Sequence, residues 1–235
     1  EMVIRDWSSD VCSSDLVPVY GPDGAEVKIT YSLWSSVENN TIEYSIANPT
    51  KCLSNYAQYN TSRDWLKASD SNDALWGNPK GGERNSDNNY VNKGSKSFYD
   101  PCPVGYRVPP ADVFRTFTTT GGYTQDPSSF DVVDLNGDGV IDTRDYNYGW
   151  SFNMKEGSLF FPAAARYDGS YAMLMGSKSG LWGSYWGNSP AKSYGATTGF
   201  GFCVLAFMNE AAGTSVSATA SAGRADAYSI RCIKE

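Results

Sequence analysis

The sequence predicts a single α+β domain, mostly β, with short twisted strands, one clear helix and long loops. Texture is the first reason: 23 Gly, 16 Tyr and 7 Trp lie among Ser-, Asn- and Thr-rich stretches. Gly and Asn supply the positive φ that tight turns need, so such a chain makes short strands joined by many turns. The second reason is balance. With 19% charged and 40% hydrophobic residues, the chain has enough apolar side chain for a packed core, which argues against wholesale disorder. The third is periodicity: apolar–polar alternation recurs in short runs, whereas a helical period stands out once. The 235 residues suit one large domain or two small ones, and no internal repeat divides them.

Residues 6–16, Asp-Trp-Ser-Ser-Asp-Val-Cys-Ser-Ser-Asp-Leu, resemble a short-read sequencing adapter translated in frame. Residues 1–16 are therefore set aside as an artefact, Cys12 with them. The native chain is expected to begin near Val17, with its own N-terminus and any signal or lipid anchor missing. Residues 17–40 are expected to be the end of a preceding segment or a linker, and 41–235 the domain. Residues 27–32 alternate like a strand, and 41–46 do so again before Asn48-Pro49 closes the region. Residues 51–96 are rich in Ser, Asn, Asp and Gly and predict a long loop carrying Trp65 and Trp76, with a short helical turn at 64–68; loops of that length in compact domains tend to be functional or partly mobile.

Residues 97–109 are strand-like but broken by prolines. The clear helix is 110–117, Pro-Ala-Asp-Val-Phe-Arg-Thr-Phe. Proline suits a first turn, Asp112 complements the positive end of the dipole, and Val113, Phe114 and Phe117 share a face. Short strands are expected at 159–165, 171–175, 185–186, 200–208 and 228–233, while the small, polar tract 211–225 predicts a loop or a flexible hairpin.

Charge and composition then narrow the function. A net charge of −7 without clustered Lys or Arg argues against nucleic acid, whose phosphates need a basic patch. No run approaches the roughly 20 apolar residues of a membrane span. Histidine is absent, which removes Ser-His and Cys-His nucleophilic catalysis, His-ligated zinc and the commonest general base near neutral pH. Carboxylate chemistry remains. A glycosidase needs two carboxylates about 5–10 Å apart, and nothing in the spacing of Asp112, Glu156, Asp168 and Glu210 pairs any two. The expectation is a chain without enzymatic activity.

The sharpest chemical motif is Asp134-Leu135-Asn136-Gly137-Asp138-Gly139-Val140-Ile141-Asp142-Thr143-Arg144-Asp145. It follows the D-x-N-x-D-G pattern of an EF-hand loop with an acid at the twelfth position. Oxygens of Asp134, Asn136 and Asp138 can converge because Gly139 permits a sharp turn; Val140 would add its carbonyl and Asp142 would act through water. Asp145 stands where Glu is usual, as in dockerin-type loops, so calcium affinity is expected at about 10⁻⁵ to 10⁻³ M. Pro127 and Gly149 interrupt both flanks, which makes this a lone structural clip in an insertion near 126–148 rather than a sensor pair. The competing account is a solvated Asp/Asn/Gly turn.

Two blocks carry a family resemblance. Asp100-Pro101-Cys102-Pro103-Val104-Gly105-Tyr106-Arg107-Val108-Pro109 and the terminal Tyr228-Ser229-Ile230-Arg231-Cys232-Ile233-Lys234-Glu235 resemble the "DPCPxGWRVP" and "SVRCVKE" signatures of the Fibrobacter succinogenes major paralogous domain. Between them, Leu159-Phe160-Phe161-Pro162-Ala163-Ala164 is similar to its "LxFPAAG", and Tyr185-Trp186-Gly187-Asn188-Ser189-Pro190 to its "YWSSTP". Tyr106, Pro110 and Gly187 depart from the pattern. The resemblance implies a C-type-lectin-like fold in a secreted or lipid-anchored surface protein of Gram-negative bacteria, with no general enzymatic activity. The EPN- or WND-like triplet of sugar-coordinating lectins is absent, so calcium here would not by itself imply sugar binding.

Four cysteines remain after Cys12, and four allow three pairings. Cys102 and Cys232 sit in the two family blocks, and their pairing would tie the last strand to the segment before the helix. Cys52 with Cys203 is the second pair this leaves, unless Cys203 is simply buried in its apolar run. Trp65, Trp76, Trp182 and Tyr185 are candidate platforms for a ligand such as a sugar ring, with core packing as the alternative for each and the expected role of Trp150 and Trp186. The function expected is a non-catalytic extracellular binding or adhesion module for a glycan or a surface protein. Its rivals are a structural or display domain, in a surface lipoprotein or a pilus-associated assembly, and, last, a carboxylate-dependent enzyme.

Overall fold

Strand β13, Gly213–Gly223, is one of the two inner strands of the four-stranded sheet. Residues 216–222, Val-Ser-Ala-Thr-Ala-Ser-Ala, alternate small apolar with small hydroxyl side chains, the two-residue period of a strand. The expectation of a loop or flexible hairpin at 211–225 is corrected to a strand, Gly213–Gly223; smallness had concealed the alternation. The computed structural model describes residues 19–20, 23–27, 30–31, 41–48, 51–52, 73–83, 85–86, 92–169, 173–175, 178–191, 201–210 and 213–235.

In chain order, β1 (Val19–Tyr20) pairs with β2 (Glu26–Val27), and β3 (Thr30–Tyr31) lies parallel to β4 (Lys51–Cys52). Strand β5 (Tyr106–Arg107) pairs with the terminal β14 (Ile233–Lys234). The antiparallel sheet has the order β11-β12-β13-β6, with β6 at Tyr123–Thr124, β11 at Trp182–Ala191 and β12 at Gly201–Glu210. Two hairpins complete the set: β7 (Gly149–Asn153) with β8 (Ser158–Pro162), and β9 (Tyr167–Asp168) with β10 (Met173–Leu174). The protein is mostly β.

The segment 41–46, expected as a strand, is instead the α-helix α1, Ile42–Ala47. Thr41 Oγ1 accepts the amide of Tyr44 at 3.1 Å and Glu43 sits in the first turn, so capping outweighs the short apolar alternation. At 111–117 the helix is present but of the 3₁₀ type, Ala111–Phe117, entered through Pro110. Ala111, Phe114 and Phe117 are its buried residues, and a spacing of three matches three residues per turn. The small side chains of β13 let this helix pack directly on the sheet.

The main core joins Phe114 and Phe117 to Trp150, Phe152, Phe161, Tyr185, Leu205, Phe207 and Val216. Phe117 stacks on Phe152 with centroids 4.2 Å apart. Trp150 and Trp186 are buried, as expected for core residues. Each such side chain contributes about 1.5–3 kcal/mol on leaving water. Cys102 and Cys232 form a disulfide with Cα atoms 5.8 Å apart, beside the β5–β14 ladder. The side chains of Cys52 and Cys203, and with them the second pairing, lie outside the described residues, as do Trp65 and the turn expected at 64–68.

Candidate calcium loop and exposed aromatic surface

The acidic loop hangs from β7. Val133 N donates to Ser151 O at 2.8 Å, and the chain returns through a 3₁₀ turn at Thr143–Asp145. Within it, each oxygen-bearing side chain folds back on the backbone ahead. Asp134 accepts the amides of Gly137 at 2.6 Å and Gly139 at 2.7 Å, Asn136 Oδ1 accepts Asp138 N at 2.8 Å, and Asp138 Oδ1 accepts Val140 N at 2.9 Å. Gly139 takes φ +82°, a left-handed value that glycine adopts freely because it has no Cβ to clash. Asp145 is fully buried and closes the loop by accepting Leu135 N at 2.8 Å and Asp142 N at 3.0 Å.

Arg144 governs the charge. Its guanidinium lies 2.8 Å from Asp138 Oδ2 and 2.6 Å from Asp142 Oδ2. Hydrogen bonds from Arg144 hold the Asp142 carboxyl below the usual carboxylate range, and loop amides, that of Gly139 first, do the same for Asp134. Among the described residues no group of three or more His, Cys, Asp or Glu side chains is set to hold a metal ion. The loop places an internal cation, Arg144, between two of its carboxylates.

The four candidate platforms are distributed differently. Tyr185 is 1% exposed and donates from its hydroxyl to Pro162 O at 2.7 Å; it is core, which corrects its place among surface platforms. Trp76 is half-buried against Trp186, edge to face at 5.7 Å. Trp182 is half-buried too, with the Arg166 guanidinium 5.4 Å and the Lys178 ammonium 4.9 Å from its ring centroid. Two cations, rather than open water, lie over that indole.

The exposed apolar side chains sit elsewhere. Phe98 and Val104 are each 96% exposed, with Tyr99 and Tyr106 also open to solvent. Their loop is rigidly held. Lys96 donates to Asp100, to Tyr106 O at 2.8 Å and to Cys102 O. The buried Asp100 carboxylate accepts Cys102 N at 2.9 Å and Val108 N at 3.0 Å. A sequence signal existed for Val104 alone: Pro103 and Gly105 on either side deny it a place in a ladder.

Asp112 lies 4.0 Å from Lys93, Glu210 pairs with Lys178, and Glu156 is exposed. Asp168 pairs with Arg166 at 3.1 Å. Asp226, which sequence reasoning passed over, accepts Gly169 N and the Tyr228 hydroxyl, each at 2.8 Å. Burial pushes the Asp226 carboxyl up. These contacts fasten β9 to the chain's last segment and leave both carboxylates engaged.

No family model, curated protein or solved structure matches the chain. No helix among the described residues is long and apolar enough to cross a membrane.

Proposed function

We propose that this chain is a non-catalytic extracellular binding and adhesion module of a bacterial surface protein, of the Fibrobacter succinogenes major paralogous type and with a C-type-lectin-like fold. One observation carries the functional part: Phe98 and Val104 stand almost fully exposed on a loop fixed by Lys96, Asp100 and the Cys102–Cys232 bond. Ordering costs weaken binding, and a pre-ordered loop has already met them. Exposed apolar side chains on a rigid tip suit the anchor of a protein interface. The ligand class is therefore a surface or matrix protein. The disulfide supports an oxidising compartment.

Calcium serves this module as a structural clip. Carboxylate, amide and carbonyl oxygens are the donors that hard cation takes, and the glycine turn at 139 matches the loop it favours. Asp134, Asn136, Asp138, Val140 O, Asp142 and Asp145 would hold it. When bound, it supplies charge neutralisation, while the chain's own amides and Arg144 shape the loop. The half-burial of Trp76 and Trp182 favours a second reading, a display domain with no ligand of its own.

The test is an array of matrix and cell-surface proteins probed with the whole chain, in calcium and in chelator, beside a Phe98→Ser/Val104→Ser variant. The expected result is binding by the wild type and at least tenfold weaker binding by the variant at an unchanged melting temperature. Equal binding by both would remove the tip from the argument; silence across the array would favour display.

A further inference from the structure

We infer that Cys232 is a site of reversible S-thiolation: a low-molecular-weight thiol opens the Cys102–Cys232 bond at the Cys232 sulfur and stays attached there. The two halves of this disulfide stand in different surroundings. Cys102 is 5% exposed and packs in a small core with Val108, Trp186 and Ala222. Cys232 is exposed, as are Pro101 and Pro103 on either side of its partner. Exchange needs the incoming sulfur in line with the bond, on the side away from the sulfur that leaves, and its rate depends on access. For attack on Cys232 that side is solvent. For attack on Cys102 it is the core.

The step balances with the thiol as its one co-reactant. The incoming thiolate forms a bond to Cys232 Sγ, the bond between Cys232 and Cys102 breaks, and its electron pair leaves on Cys102 Sγ. Cys102 then takes a proton from water, because apolar burial raises the pKa of a thiol. A neutral buried cysteine packs as a small apolar side chain, so the core around Trp186 keeps its filling. The protonated thiol is a poor nucleophile, which slows re-closure and lets the adduct accumulate. A second thiol, or Cys102 itself once ionised, reverses the modification.

Opening the bond changes one side of the tie more than the other. The loop that carries Cys102 keeps its hydrogen bonds: Lys96 still donates to Tyr106 O and Cys102 O, and Asp100 still accepts Cys102 N and Val108 N. Beyond Ser229, the closing segment is left with the two-residue ladder of β5 and β14, the Glu235 amide on Gly105 O at 3.0 Å and the Arg231 guanidinium on Phe160 O at 3.0 Å. The buried half holds its place, and the exposed half carries the thiol. None of this depends on what the Phe98 tip binds.

Reduced glutathione, offered to the whole wild-type chain in native buffer and again in urea, tests this. Samples taken over time are quenched in acid, which stops exchange, then digested with pepsin and mapped by mass spectrometry. In native buffer the glutathionyl group should sit on Cys232, with Cys102 a free thiol, at least tenfold more often than the reverse. In urea, where burial no longer separates the two sulfurs, that preference should collapse. The inference is overturned if the folded chain carries glutathione on Cys102 as often as on Cys232, or if the bond opens in urea alone. It is overturned equally if the folded chain is reduced with no Cys232 adduct at any time point, or if the tenfold preference survives in urea, since burial would then not be its cause.

Discussion

Arg144 neutralises the acidic loop from within. It bridges Asp138 and Asp142, two of the groups that calcium would use, and so an entering cation competes with a tethered one. Arg144→Ala should therefore bind calcium more tightly in isothermal titration, and should melt earlier than wild type in chelator, where repulsion among the carboxylates is unrelieved. Weaker calcium binding by the variant would show that the guanidinium assists rather than competes. The loop itself was legible in the sequence because its spacing is local: the ligand-type residues and Gly139 lie within twelve positions. The partners of Arg144 were not legible, since a basic residue at the eleventh position can equally point to water. Tyr185 misled for the opposite reason. Its place among glycines and serines suggests a surface, but β11 is buried on both faces from Gly183 on, and Tyr185 packs on Phe161, 4.9 Å away.

Among the elements, long apolar runs were easier to read than strands of small side chains. The apolar runs at 159–165 and 200–208 announced β8 and β12, whereas β7 was not expected despite Trp150 and Phe152, and β13 is built from Gly, Ala, Ser, Thr and Val, residues equally common in linkers. Segment 111–117 was visible as a helix, but its 3₁₀ form depends on what Phe114 and Phe117 find across the sheet. The pairing of Cys102 with Cys232 followed from the two family blocks, and the structure has it. Its sequence separation of 130 makes the closed loop long. Replacing both cysteines by serine should lower stability by about 4–5 kcal/mol through unfolded-state entropy, measured as a shift in the urea midpoint at constant slope. A loss under about 1 kcal/mol would mean that the unfolded chain is already compact.

At the scale of the whole molecule, the absence of histidine leaves acid behaviour to carboxylates. Burial raises the Asp226 carboxyl above its ordinary 3.8, so between that value and the raised one the folded state binds more protons than the unfolded state, and stability falls as pH rises. Asp134 and Asp142 are lowered and act oppositely: their contribution is present above 3.8 and disappears as pH falls through their folded values. Thermal melts from about pH 3 to about pH 8 should show a maximum on the acid side, and Asp226→Asn should flatten the decline above it. An unchanged decline in that variant would assign it to another group. The tie between Cys102 and Cys232 also has a mechanical meaning. A load applied at Phe98 reaches β5, whose two-residue ladder alone would shear. The covalent link passes that load to the closing segment, where Ser229 O accepts Trp186 N at 3.0 Å on the edge of the large sheet. If the proposed contact at the tip is loaded, the disulfide would pass traction on to the four-stranded sheet, and chemical reduction would weaken that path.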